Sequence, residues 1–115
     1  MSVIMDMISR QTDILTNLLQ IMVDSVYEDY DSLQGVFDYD KSSIDNSVSM
    51  EANFSYFIGD TEKFVFMNDP ESKIPYLLEE LHELVQEHTG GVWTKLILKL
   101  DENGRAHTKF IYDEE

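Results

Sequence analysis

The sequence predicts an α+β domain, a mainly antiparallel sheet of about five strands with a long N-terminal helix and a second helix before a C-terminal hairpin. Three observations carry that expectation. Apolar residues recur at helical spacing in two separate segments, apolar and polar residues alternate in "SVSMEANFSYFI", and Gly-containing turns join successive short strands. Sequential strands joined by short turns favour antiparallel pairing with helices gathered on one face.

The first segment, residues 2 to about 26, reads as a helix. Ile4, Ile8, Leu15, Leu18, Leu19, Met22 and Val26 fall near a 3.6-residue period, with Gln11 and Thr12 as a weak break. Met5, Met7, Ile14, Ile21 and Val23 broaden the stripe, so burial on more than one side is expected. Gly35 falls in a short strand over 33–39. In the clearest strand Val48, Met50, Ala52, Phe54, Tyr56 and Ile58 share one face, and Gly59-Asp60 turns the chain into "KFVFM". Ile74, Leu77, Leu78, Leu81, Leu84 and Val85 then mark an amphipathic helix with acids on its outer face, tolerating Pro75 in the first turn and stopped by Gly90. The chain closes on a hairpin turned by Asn103-Gly104. Its expected inner face is Thr94, Leu96, Leu98 and Leu100 against Thr108, Phe110 and Tyr112. Trp93, Lys95, Ile97 and Lys99 are expected on the other side.

With 115 residues, 43% of them hydrophobic, and no repeat or linker, the chain reads as a single domain over 1–115. No apolar run is long enough to span a membrane, and the N-terminus lacks a basic leader and a cleavage site. There is no cysteine for disulfide or thiolate chemistry, and a cytoplasmic location is the simplest expectation.

Charge is the outlier. Twenty-three acids against eight bases give a net charge of −15, which disfavours nucleic acid and anionic membranes as direct partners. Between Asp24 and Glu62 there are ten acids and a single base, Lys41. Within "VYEDYDSLQGVFDYD" aromatic residues alternate with carboxylates, a composition suited to meeting a basic protein. The candidate contact residues are Tyr27, Glu28, Asp29, Tyr30, Asp31, Asp38, Tyr39 and Asp40.

Catalytic templates fail. "HELVQ" has Gln86 where a zinc helix needs its second histidine, and His82 and His88, six residues apart, do not share a helix face. His107 stands alone on a strand. "DYDKSS" and "DENGRA" lack the Gly and Glu of a calcium loop, leaving only loose divalent binding at Asp38 and Asp40. Gly90-Gly91 follows a helix, so it cannot cradle phosphate at a helix start. No catalytic residue, cofactor site or metal site is expected, and the chain reads as a non-enzyme.

The acidic leucine-rich helix "YLLEELHELVQEH" followed by "VWTKLILKLDENGRAHTKFIYDEE" resembles the YezG-like family of bacterial immunity proteins, which guard contact-dependent growth inhibition and related polymorphic toxin systems. Trp93, Thr94, Gly104, Phe110, Tyr112 and Asp113 carry the match, while Ala106 stands where the family commonly has a large aromatic residue. The resemblance implies a non-enzymatic cytoplasmic protein that binds and neutralises the C-terminal domain of a cognate toxin, often a nuclease. The alternative is an acidic interaction or regulatory module without a toxin partner. A third class, an enzyme using an acidic cleft, requires a deep pocket with converging carboxylates. The oligomeric state is not legible.

Overall fold

A computed structural model describes residues 3–42 and 44–112. Ser2 and Asp113, and the side chains of Ile4, Met5 and Met7, lie outside the described residues. The elements are α1 (Val3–Asp24), β1 (Ser32–Lys41), β2 (Val48–Ile58), β3 (Thr61–Val65), α2 (Lys73–Thr89), β4 (Trp93–Leu100) and β5 (Ala106–Tyr112). They form the expected α+β fold, with one five-stranded sheet in the order β3-β2-β1-β4-β5 and every pairing antiparallel.

The middle strand, β1, is longer than expected. Leu33, Gly35, Phe37 and Tyr39 point to the core, while Gln34, Val36, Asp38 and Asp40 point away. It pairs with β2 from Ser32↔Phe57 to Lys41↔Val48, and with β4 from Leu33↔Leu100 to Asp38↔Lys95. Both helices cover the inward face of the sheet. In α1, Ile14, Leu18 and Met22 recur every four residues and are fully buried, with Leu15, Leu19, Ile21 and Val23 packed beside them. Ile8 is 45% exposed, less covered than its place in the periodic stripe suggests. Helix α2 buries Ile74, Leu78, Leu81 and Val85. It ends at Gly90, whose φ of 76° puts it in the left-handed conformation of a helix stop, with its N–H on the Gln86 carbonyl at 2.8 Å.

Gly35 leaves room for the Met22 side chain of α1. A methyl group there would sit 3.1 Å from the Met22 sulfur and 3.0 Å from the Phe37 ring, so the Met22 side chain lies close on the β1 backbone. Ser25, buried just past α1, ties the helix end down. Its hydroxyl donates to the Ile21 carbonyl at 2.7 Å and accepts the Asn68 N–H at 2.7 Å.

Two strand expectations are corrected. Strand β3 starts and ends two residues earlier than "KFVFM" suggested, leaving Phe66 beyond it and 97% exposed. Trp93 is not on the outer face of the hairpin but fully buried. The pairing steps from Trp93↔Tyr112 to Lys95↔Ile111, so β4 carries one extra residue there, and this bulge rotates Trp93 inward against Phe110. Asn103 does not adopt a left-handed conformation. Gly104 alone does, at φ 79°, and the Asp101 carboxylate accepts the N–H groups of Asn103 and Arg105 at 2.9 Å each.

Candidate functional site: an acidic loop end beside an open sheet face

An antiparallel sheet sends alternate connections to the same end. Here the α1–β1 connection, the β2–β3 turn and the β4–β5 turn converge at one end of the sheet, because Ser32 pairs with Phe57 and the next residue, Leu33, with Leu100. These connections and their adjoining residues carry Glu28, Asp29, Asp31, Asp60, Glu62, Asp101 and Glu102.

Several of these carboxylates also build the loops. Asp31 accepts the Gly59 N–H at 2.5 Å and donates its own N–H to the Phe57 carbonyl at 2.8 Å, joining two connections. Glu28 accepts the Tyr56 hydroxyl and lies 3.4 Å from the Lys63 ammonium. The Tyr56 bond, assisted by Lys63, holds the Glu28 carboxyl below the usual range, and the same bond raises the Tyr56 phenol. Asp101 accepts His107 Nε2–H at 2.7 Å, and this bond, with the two backbone N–H donors, keeps its carboxyl ionised to lower pH. Glu62 accepts the Ser55 hydroxyl at 2.8 Å. Among the described residues, the side chains of Asp29, Asp60 and Glu102 take part in no hydrogen bond or ion pair; they are exposed charge that the loops do not use.

The eight residues expected to form one contact surface divide into two groups. Tyr27, Glu28, Asp29, Tyr30 and Asp31 lie at the loop end, where Tyr27 is 85% exposed and Tyr30 is half-buried against the core. Asp38, Tyr39 and Asp40 lie toward the far end of β1, about 23–30 Å from Asp31 at roughly 3.3 Å per residue. Asp38 faces away from the helices and pairs with Lys95 at 3.6 Å, and Asp40 is exposed. Tyr39 is not on the surface. It is 5% exposed, stacked on His82 with ring centres 4.0 Å apart, because strand alternation turns it toward α2. Asp60, Glu62, Asp101 and Glu102 take the place of the second group. The signal for them was the turn positions themselves, once α1–β1, β2–β3 and β4–β5 are recognised as same-end connections.

Beside the loop end is an open depression of about 960 Å³ on the face of the sheet opposite the helices, with Gln34, Phe57, Ile97, Lys99, His107 and Lys109 among its lining and Asp31, Asp60, Asp101 and Glu102 along it. Among the described residues no three His, Asp or Glu side chains stand close enough to hold one metal ion. His82 on α2 is buried, and its Nε2–H meets the Trp93 carbonyl at 3.0 Å. Among the described residues no helix is long and apolar enough to cross a membrane.

These features define an open-faced α+β sheet protein with an acidic loop end. No protein-family model matches the chain. Comparison with curated proteins finds no match either.

Proposed function

We propose that this chain is an immunity protein, which binds and neutralises a cognate, basic, nuclease-type toxin domain in the cytoplasm without catalysing a reaction. The observation that carries the reading is the convergence of three connections bearing seven carboxylates at one end of the sheet. Asp31 and Asp101 hold those connections in shape, while Asp29, Asp60 and Glu102 project charge that the fold leaves unused. A rigid array of carboxylates imitates the phosphates that a nuclease groove is built to hold. Such complementarity speeds association and rejects wrong partners more than it adds affinity. Tyr27, exposed beside the array with its hydroxyl accepting from Asn68 Nδ2 at 3.3 Å, supplies aromatic area of the kind that anchors interfaces. The resemblance of α2, β4 and β5 to the YezG-like pattern favours the same role.

The test is a pull-down of the tagged chain from its native cells at low salt, with mass spectrometry of what accompanies it. The reading expects one stoichiometric basic fragment from the C-terminus of a large secreted protein. An assortment of proteins that washes off with modest salt would overturn it. A single basic partner without toxic activity would replace it with an acidic interaction module.

A further inference from the structure

Two phenylalanines stand exposed along one edge of the sheet. Strand β3 closes the strand order at that end, so its outer backbone pairs with no strand among the described residues. Natural edges are usually blunted by proline, a bulge or outward-pointing lysines. Strand β3 carries no proline, and its register against β2 runs unbroken from Phe54↔Val65 to Ile58↔Thr61. Its single lysine, Lys63, is drawn to Glu28 at 3.4 Å. Phe64 on this edge is 73% exposed, and Phe66, just past its end, is more exposed still.

Alternation along the strand puts Glu62 on the same side of β3 as Phe64, the side away from the helices. Phe57 lies directly across from Glu62, and Ser55 directly across from Phe64. The Ser55 hydroxyl donates to Glu62 Oε2 at 2.8 Å, which draws the carboxylate toward Phe64. A fixed carboxylate therefore stands between two rings, and among the described residues it forms no ion pair. The lysines of this face, Lys95, Lys99 and Lys109, stand on β4 and β5, at least three strand spacings or about 14 Å away.

We propose that the β3 edge takes an extended, arginine-bearing segment of a basic protein as a sixth strand. Main-chain hydrogen bonds to the free edge hold such a segment, and side chains at alternate positions select it. An added strand sets one side chain beside Glu62, with the Cβ atoms about 5 Å apart, and its next same-side residue beside Phe64. Arginine fits both neighbours at once. The edge of its planar guanidinium meets the Glu62 carboxylate while its face lies on the Phe64 or Phe57 ring. A lysine ammonium answers the charge but lacks the planar face.

Charge and position both favour that occupant. Strand β3 starts at the β2–β3 turn, where exposed Asp60 belongs to the acidic loop end. The strip and the acidic array are therefore continuous, and both attract a cationic partner. The inference deepens the toxin reading and rests on it for the identity of the partner. It adds a division of labour, in which the loop acids speed encounter and the β3 edge recognises arginine.

Two short labelled peptides test it on the isolated chain, one alternating arginine with threonine and the other lysine with threonine. Fluorescence anisotropy is expected to show the arginine peptide binding at least threefold more tightly, and amide exchange to slow along β3 when it binds. Phe64→Ser is expected to bring the two affinities together while leaving that of the lysine peptide unchanged. The side chain is exposed, and an unchanged circular dichroism melt shows that the fold is kept. Equal affinities in wild type, no binding of either peptide, or an arginine preference that survives Phe64→Ser would each overturn the proposal. The toxin reading fails separately, in the pull-down, so an arginine preference without a toxin would leave the β3 edge to another arginine-bearing protein.

Discussion

Below neutral pH the folded protein is expected to lose stability through His82. The ring is buried between Tyr39 and Trp93, with the Trp93 ring centre 5.1 Å away and Nε2–H held by the Trp93 carbonyl. Burial lowers its pKa below the ordinary 6.5, and the Trp93 carbonyl bond and Glu83 only partly oppose this, while Lys41 adds to the lowering. The folded state therefore binds fewer protons than the unfolded chain once the pH falls through 6.5. Stability conferred by the neutral ring is full above that value and declines on acidification toward the lower folded pKa. One proton limits the slope to about 1.4 kcal/mol per pH unit. From pH 7.0 to 5.5, a ring that stays neutral in the folded state loses at most about 1.3 kcal/mol against an unfolded histidine of ordinary pKa. With a urea m-value of about 1.5 kcal/mol/M, this lowers the midpoint by at most about 0.9 M. Urea unfolding followed by the fluorescence of Trp93, the single tryptophan, measures it in wild type and in His82→Gln. The many carboxylates titrate in both proteins and drop out of the difference. Equal changes of midpoint over this pH range in the two proteins would refute the reasoning.

Three further outcomes are expected. Gly35→Val should destabilise the protein by about 2–3 kcal/mol in chemical denaturation, because its side chain collides with Met22 and Phe37 under α1. Ser25→Ala should cost about 1–2 kcal/mol and speed amide exchange at Asn68, whose N–H loses its acceptor. Tyr56→Phe should raise the Glu28 carboxyl pKa toward its ordinary value in an NMR titration, since the Tyr56 hydroxyl is the main cause of its lowering.

The elements most legible in the sequence are those whose pattern is local. Helix α2 repeats leucines at helical spacing and stops at a glycine, and both features depend on residues within one or two turns. The central position of β1 was not legible, because it follows from pairing with β4, about sixty residues on in the chain. Its true length was hidden by Asp40 and Lys41, which resemble loop residues until they are seen paired with β2. Trp93 was placed on the wrong side by strict alternation, which a single bulge reverses. For the candidate site, the acidity of 28–31 was legible, but its reinforcement by Asp60 and Asp101 required the turns to be assigned to one end of a sheet. The separation of Asp38 and Asp40 from that group follows from strand rise, and the burial of Tyr39 from period-two alternation. Both were implicit in a strand over 33–39.

The central claim is that the acidic loop end neutralises a basic toxin domain, and cell survival measures it most directly. The basic domain recovered by pull-down is expressed from an inducible promoter together with wild type or with the Asp29→Lys, Asp60→Lys, Glu102→Lys variant. The three substitutions fall one on each converging connection and leave the Asp31 and Asp101 scaffolds intact. Wild type is expected to restore colony counts, and the variant, equally abundant and folded, to lose protection at least tenfold. Full protection by the variant would contradict the account and move the toxin contact away from the loop end.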